Sequence, residues 1–157
     1  MLRVSSGSNA ARGAPVLRAA TAADRGAVHA LLTACELPVA GVDDAAMQHF
    51  IVAERDGSVV GVAGLEIYGA NALLRSVAVD PAVRAEGLGG ALTERLLGDA
   101  PAEGVRRVFL LTTTAESFFA RRGFVRTDRT EVGADMLASA EFTGACPASA
   151  ALMVREL

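Results

Sequence analysis

The sequence predicts an α+β fold, a mixed central sheet with helices on both faces. Three observations point there. Residues 50–79 hold three consecutive extended runs joined by tight turns, the pattern of an antiparallel meander. A glycine-rich turn and an apolar helix follow the third run directly. Residues 105–111 then form a strand apolar on both faces, as in a parallel or buried position, and helix and strand patterns alternate to the end.

The bulk properties fit one domain. The chain has 157 residues, 52% hydrophobic and 21% charged, enough for a single buried core. Residues 1–14, rich in Ser, Gly, Ala and Asn, are expected to be a disordered extension before a domain at 15–157. They lack the uninterrupted apolar run of a signal peptide, and no segment reaches the roughly 20 apolar residues of a membrane helix. The expectation is a cytoplasmic protein, monomer or homodimer, that binds no membrane. A net charge of -3 gives no support to nucleic-acid binding. Cys35 and Cys146 stand far apart, and with His29 and His49 they form no metal-ligand spacing. Two buried free thiols and no metal are expected.

The elements follow in order. A short strand occupies 16–19. Thr21 and Asp24 then supply a cap and first-turn acid for a helix running to about Cys35, with Ala27, Val28, Leu31 and Leu32 as its apolar stripe. Pro38 and Gly41 interrupt, and a second short helix is expected over 43–49. Strands at 50–55 and 58–68 flank Asp56-Gly57, a strong hairpin signal. A turn at Gly69 leads to a strand at 73–79, which Asp80-Pro81 ends. A helix spans 89–97, with Leu92, Leu96 and Leu97 on one face. After the strand at 105–111, Thr114 is expected to cap a helix to Arg122 that Gly123 stops. A strand at 124–127, a helix at 134–142 and a closing strand at 150–156 complete the chain.

The chemistry concentrates in 74–91, where a strand ends, a loop supplies glycines and a helix begins. The unpaired N–H groups and positive end of such a helix suit an anion. Gly87 and Gly89 let the backbone approach it, and Arg84 adds charge-assisted hydrogen bonds. There is no Gly-Lys-Ser/Thr, so this is not a nucleotide-hydrolase loop, and its place after an antiparallel meander does not suit a dinucleotide fold. A Gly-x-Gly turn alone is also compatible with a plain helix start. Its position in the strand order singles it out.

Arg84-x-x-Gly87-x-Gly89 resembles the pyrophosphate motif of the GNAT acetyltransferases, and Phe118-Phe119-Ala-Arg-Arg-Gly123-Phe124 resembles their aromatic-helix signature. The resemblance runs from Val16 to Leu157. Residues 111–124 and 149–153 are similar to amino-acid N-acetyltransferases of the glutamate type. With Cys146-Pro147-Ala-Ser149, the whole is similar to small GNAT proteins associated with bacterial arsenic resistance.

The resemblance implies an acetyl-CoA-dependent N-acetyltransferase acting on a small amino-acid-like amine, with an arsenical amino acid or related antimetabolite among the expected acceptors. It implies that the strands at 73–79 and 105–111 splay to admit pantetheine, with Val77 and Val79 offering backbone hydrogen bonds and the Val77 N–H stabilising the oxyanion. Arg84, Glu86, Gly87, Leu88, Gly89 and Gly90 form the pyrophosphate loop, and Phe119 joins the cofactor site. Glu66 is the candidate general base, the alternative being a solvent-facing strand carboxylate; Glu116 and Asp80 are weaker candidates. Arg75, taken to alternate onto the face of Val77 and Val79, is the candidate for a substrate carboxylate, against a surface arginine. Tyr68, Thr113 and Ser149 complete the candidate substrate contacts. Two departures stand out. Phe119 replaces a tyrosine whose hydroxyl protonates the leaving thiolate, and Pro147 stands where the glutamate-type enzymes carry an arginine. Phe119 motivates an alternative function, a non-catalytic acyl-CoA-binding sensor, and the cysteine pair a weaker one, arsenite binding.

Overall fold

In a computed structural model of the protein, residues 13–157 are described. The expected extension at 1–14 lies almost wholly outside them. Seven strands form one sheet in the order β1-β2-β3-β4-β5-β7-β6. These are β1 Val16–Ala19, β2 Phe50–Arg55, β3 Ser58–Tyr68, β4 Asn71–Val79, β5 Arg107–Thr112, β6 Val125–Arg126 and β7 Ala151–Glu156. The helices are α1 Arg25–Ala34, α2 Leu88–Asp99, α3 Glu116–Ala120 and α4 Ala134–Leu137.

The meander forms for the reasons read from its turns. Asp56 and Gly57 both take positive φ, 52° and 79°, the geometry a two-residue hairpin of the right twist requires. Thr21 and Asp24 make a reciprocal capping box ahead of α1, with the Thr21 N–H donating to Asp24 Oδ2 at 2.8 Å. Arg18 grips the same carboxylate from β1 at 2.8 Å.

Helices cover both faces. On one, α2 buries Leu88, Leu92, Leu96 and Leu97 against Ile51, Ala63, Leu65, Leu74 and Val79. On the other, α1 places Val28, Leu31 and Leu32 beside Met47, Phe50, Val52, Val62 and Ala78. Met136 of α4 packs on that face with Leu73, Phe109 and Leu152.

Several boundaries differ from the sequence reading. The helix expected at 43–49 is a 3-10 turn, Ala46–His49, whose start Asp43 Oδ1 caps by accepting from the Ala46 N–H at 2.9 Å. The helix at 114–122 contracts to α3, and Thr112, not Thr114, accepts from the Ala115 N–H at 3.0 Å. The helix at 134–142 stops at Leu137; a π turn, Glu141–Ala145, follows it. The strand at 124–127 is only the two residues of β6.

The β4 strand carries the largest correction. Ser76 has φ 59°, and β3 pairs Val62 with Ala78 but Gly64 with Arg75. Ser76 and Val77 together thus oppose Ala63, a β-bulge that flips the alternation. Leu73, Arg75 and Ala78 face one side of the sheet; Leu74, Val77 and Val79 face the other. Arg75 does not share a face with Val77 and Val79, because one extra residue lies between them.

Candidate functional site

The parallel ladder between β4 and β5 pairs only Asn71–Leu74 with Arg107–Leu110. Beyond Leu74 the β4 backbone runs on through Val79 without β5, and β5 turns to β7 through Thr112. The expected splay is present. A cleft of about 1150 Å³ opens there, lined on the β4 side by Leu74 to Val79 and on the β5 side by Leu110 to Ala115. The bulge at Ser76 turns Val77 toward α2 and Arg75 toward the opposite wall, so the same opening has two chemically different sides.

At the mouth stands the start of α2. Asp80 accepts from the Ala82 N–H at 2.9 Å to begin a 3-10 turn, Pro81–Glu86, and Gly87 closes it in the left-handed conformation, φ 74°. Only a glycine takes that φ without strain, and it lets α2 begin immediately with free amides toward the cleft. A Cβ on Gly89 would touch Phe118 and Val79 at 3.6 Å, ordinary contact, so packing does not demand glycine there; open space above the amides is what it preserves. Gly90 is different. A Cβ there would meet Arg122 Nη2 at 2.3 Å.

That arginine was not anticipated from sequence. Arg122 stacks on Phe118, 3.8 Å from the ring centroid, and donates to the Phe118 carbonyl at 3.0 Å. Arg84, Arg121 and Arg122 all line the cleft, and among the described residues none has a carboxylate within ion-pair distance. Arg84 instead donates to the Val79 carbonyl at 3.2 Å and the Cys35 sulfur at 3.4 Å. Three guanidiniums without a carboxylate partner, lining a cleft at a helix start, suit an anionic group. Glu86, expected in the loop, turns away to pair with Arg55, and Leu88 contributes only backbone because its side chain is buried in the core.

Deeper in, Leu74, Val77, Leu110 and Phe119 make apolar walls. Phe119 is held edge-on by Phe118 and Phe124, with centroids 5.0 and 5.8 Å away. A charged mouth, a narrow apolar throat and unpaired strand edge fit a long phosphate-bearing acyl carrier.

The opposite wall is polar. Arg75, 3% exposed, donates from Nε to Ser76 Oγ at 3.0 Å, from Nη1 to Glu66 Oε2 at 2.6 Å and from Nη2 to the Ala40 carbonyl at 2.8 Å. Glu66 also accepts from the Tyr68 hydroxyl and the Ser139 hydroxyl, each at 2.6 Å. Burial pushes its carboxyl up, but the bonds from Ser139, Tyr68 and Arg75 outweigh burial and hold it below the ordinary glutamate value. A carboxylate so occupied is a poor proton acceptor, and it does not line the cleft. The geometry therefore makes Glu66 the counter-ion of Arg75. Tyr68 is likewise engaged; burial and then Glu66 push its hydroxyl up to about 12. Glu116 pairs with Arg126 at the surface, and Asp80 is spent as a cap. Thr113 and Pro147 line the cleft, whereas Ser149 lies exposed in the turn before β7 and does not.

One residue of this wall carried no sequence signal. Glu141, in the π turn, is 6% exposed and lines the cleft beside Arg75 and Cys146. Burial raises its carboxyl above the ordinary value, Arg75 working against this and Glu66 with it. Among the described residues no group of three or more His, Cys, Asp or Glu is placed to hold a metal, and no helix is long and apolar enough to cross a membrane.

Comparison with known proteins places these features. The model of the acetyltransferase (GNAT) domain matches residues 46–126, which span the meander, the α2 mouth, β5 and α3. An amino-acid acetyltransferase of Mycobacterium tuberculosis is 42% identical over 95 residues, 58% of this chain and 54% of that protein. The chain thus spans about half the length of that relative, and an amino-acid acetyltransferase of Pseudomonas fluorescens is matched over 18% of its length at 38% identity. The crystal structure of Rv2747 from Mycobacterium tuberculosis, in complex with CoA and NLQ, superposes with a TM-score of 0.74 at 32% identity, covering 91% of this chain and 99% of that one. N-acetylglutamate synthase from Neisseria gonorrhoeae, complexed with coenzyme A and N-acetyl-glutamate, gives 0.81 at 24% identity over 92% of this chain and 35% of its own, a likeness of fold.

Proposed function

We propose that this chain, which belongs to the GNAT acetyltransferase family, transfers the acetyl group of acetyl-CoA to the amino group of a small amino acid or close analogue. The observation that carries the reading is the β4–β5 ladder ending at Leu74 and Leu110 beneath the arginine-flanked start of α2. The named relatives supply the acceptor class: their names specify amino-acid acetyltransferases. The finer acceptor, an arsenical or related amino acid analogue, rests on the Cys146-Pro147-Ala-Ser149 resemblance alone.

Bound acetyl-CoA supplies an acyl group activated as a thioester. The residues present fit it: Gly87 and Gly89 keep the α2 amides open, Gly90 makes room for Arg122, and Arg84, Arg121 and Arg122 bring the positive charge its phosphates need. Val77 and Val79, on the stretch of β4 that β5 does not pair, hold the acyl arm, and the Val77 amide meets developing negative charge on the carbonyl oxygen. Phe119 excludes water and has no proton to give. A thiol of ordinary pKa about 8.5 leaves adequately without a dedicated acid. Arg75, held by Glu66 behind it, forms part of a rigid acceptor wall.

Calorimetry with CoA and a free-thiol assay with acetyl-CoA across the twenty amino acids and phosphorus- or arsenic-containing analogues test the reading together. Binding with turnover of at least one amino acid is expected. Gly89→Val, which fills the space over the α2 amides, should weaken CoA more than tenfold while the melting temperature changes little. Tight CoA binding with no turnover would favour the sensor alternative, and unchanged affinity in Gly89→Val would displace the cofactor from this mouth.

A further inference from the structure

The polar wall carries one more negative charge than it balances. Arg75 has a partner at each of its three nitrogens, in Ser76, Glu66 and Ala40. Gly41 packs against the same guanidinium, where a Cβ would lie 3.1 Å from Nη1. It is a locked group whose charge Glu66 already answers. Glu141 then stands as a second carboxylate facing one arginine. Its Oε2 is buried and accepts no hydrogen bond; Arg75 Nη2 lies 3.5 Å away, in ion-pair range only. A buried carboxylate oxygen without a donor is costly unless something else supplies one. The charged and titratable groups facing it are Arg75 from β4, Glu66 from β3 and Cys146 from its own turn. The Cys146 thiol, pushed up to about 11 by burial and then by Glu141, stays protonated, hydrogen-bonds the Glu141 carboxyl and brings no charge, leaving Oε2 as the oxygen without a donor.

We infer that Glu141 is the group that holds the acceptor's ammonium in the cleft and takes its proton. Resting on the acetyl-transfer reading above, the inference names the residue that makes the amine reactive. It also changes the expected acceptor contact: the wall offers its unsatisfied oxygen to a cation, and Arg75 has no free nitrogen for a substrate carboxylate. The step balances. The ammonium gives one proton to Glu141, and the freed lone pair forms the C–N bond to the thioester carbon. The C–S bond breaks with its electron pair on sulfur, the thiolate takes the second proton from nitrogen, and Glu141 releases the first to water. A carboxyl raised above the ordinary glutamate value is the better proton acceptor for this, with an amine whose own pKa lies at about 8 or above.

The experiment measures turnover of wild type and Glu141→Gln from pH 5.5 to 9.5, with L-glutamate or whichever amino acid the wild type acetylates fastest. CoA affinity by calorimetry serves as the check of fold. The variant should bind CoA as the wild type does and lose about 10²-fold or more in kcat at pH 7, with the deficit shrinking at least tenfold by pH 9.5, where solvent deprotonates the amine. The acid limb of the wild-type kcat/KM profile should move up to the pKa of the free amine in the variant. A deficit equal at every pH, or kcat within twofold of wild type, overturns the inference, the former because a merely structural partner of Arg75 would behave that way. If Glu141→Gln fails to bind CoA, Glu141→Asp carries the same test, with a smaller loss and the acid limb retained. No turnover by the wild type with any amine, despite CoA binding, overturns the transfer reading and this inference with it.

Discussion

Asp24 shows how much one side chain anchors in this molecule. It closes the capping box on Thr21 and accepts from Nη1 and Nη2 of Arg18, so it ties β1 to the start of α1 while 8% exposed. The bonds from Arg18, offset by burial, lower its carboxyl from 3.8 to about 2. A depressed folded-state value means the stabilisation is complete above the unfolded value near 4 and is lost as pH falls toward 2. The shift corresponds to about 2 kcal/mol. Asp24→Asn is therefore expected to unfold about 2 kcal/mol more easily than wild type in urea at pH 7, and the gap should close as the titrations approach pH 2. A gap independent of pH would assign the effect to packing rather than to the ion pair. At the same scale, the mouth of the site was legible because Arg84, Gly87 and Gly89 have fixed spacing along one loop. Arg122 and Glu141 were not, because each reaches the cleft from an element distant in sequence and meets its neighbours only when the sheet is assembled.

At the scale of elements, the meander was readable almost to the residue, since Asp56-Gly57 and alternating apolar residues specify a hairpin locally. The bulge was not. Arg75, Ser76 and Val77 look like an ordinary alternating strand, and only the pairing of Gly64 with Arg75 reveals the extra residue. The same applies after Leu137, where composition favours continuing a helix but Glu141 is drawn inward beside Arg75 and the chain widens into a π turn. The bulge also decides which wall each side chain joins. Deleting Ser76 restores simple alternation with Val77, Ala78 and Val79 on the faces they already occupy, but removes the bend that carries this stretch of β4 away from β5. The deletion is expected to abolish detectable CoA binding and lower the melting temperature by at least 5 °C, read by calorimetry and thermal unfolding; retained binding would show that the throat does not depend on this bend.

Across the whole molecule, the sheet is two sub-sheets, β1 to β4 and β5 to β7, joined by a ladder only four residues long. Side-chain packing adds to that ladder, Leu74 and Leu110 with Phe119, Phe124 and Met153. A ligand that enters the gap supplies the missing partner for the β4 edge and stabilises the folded state by mass action, by roughly 3 kcal/mol at a hundredfold excess over Kd. Hydrogen–deuterium exchange should locate that gain: amides within 75–79 should slow at least tenfold with saturating CoA, while those of the β2–β3 hairpin stay within twofold. Uniform slowing would mean the ligand tightens the protein globally instead of filling the seam. Under the proposed function, the abbreviated ladder makes the coenzyme a structural tenant as well as a reactant, and the seam should loosen each time the spent thiol departs, so that vacancy itself marks the weakest moment in the working cycle.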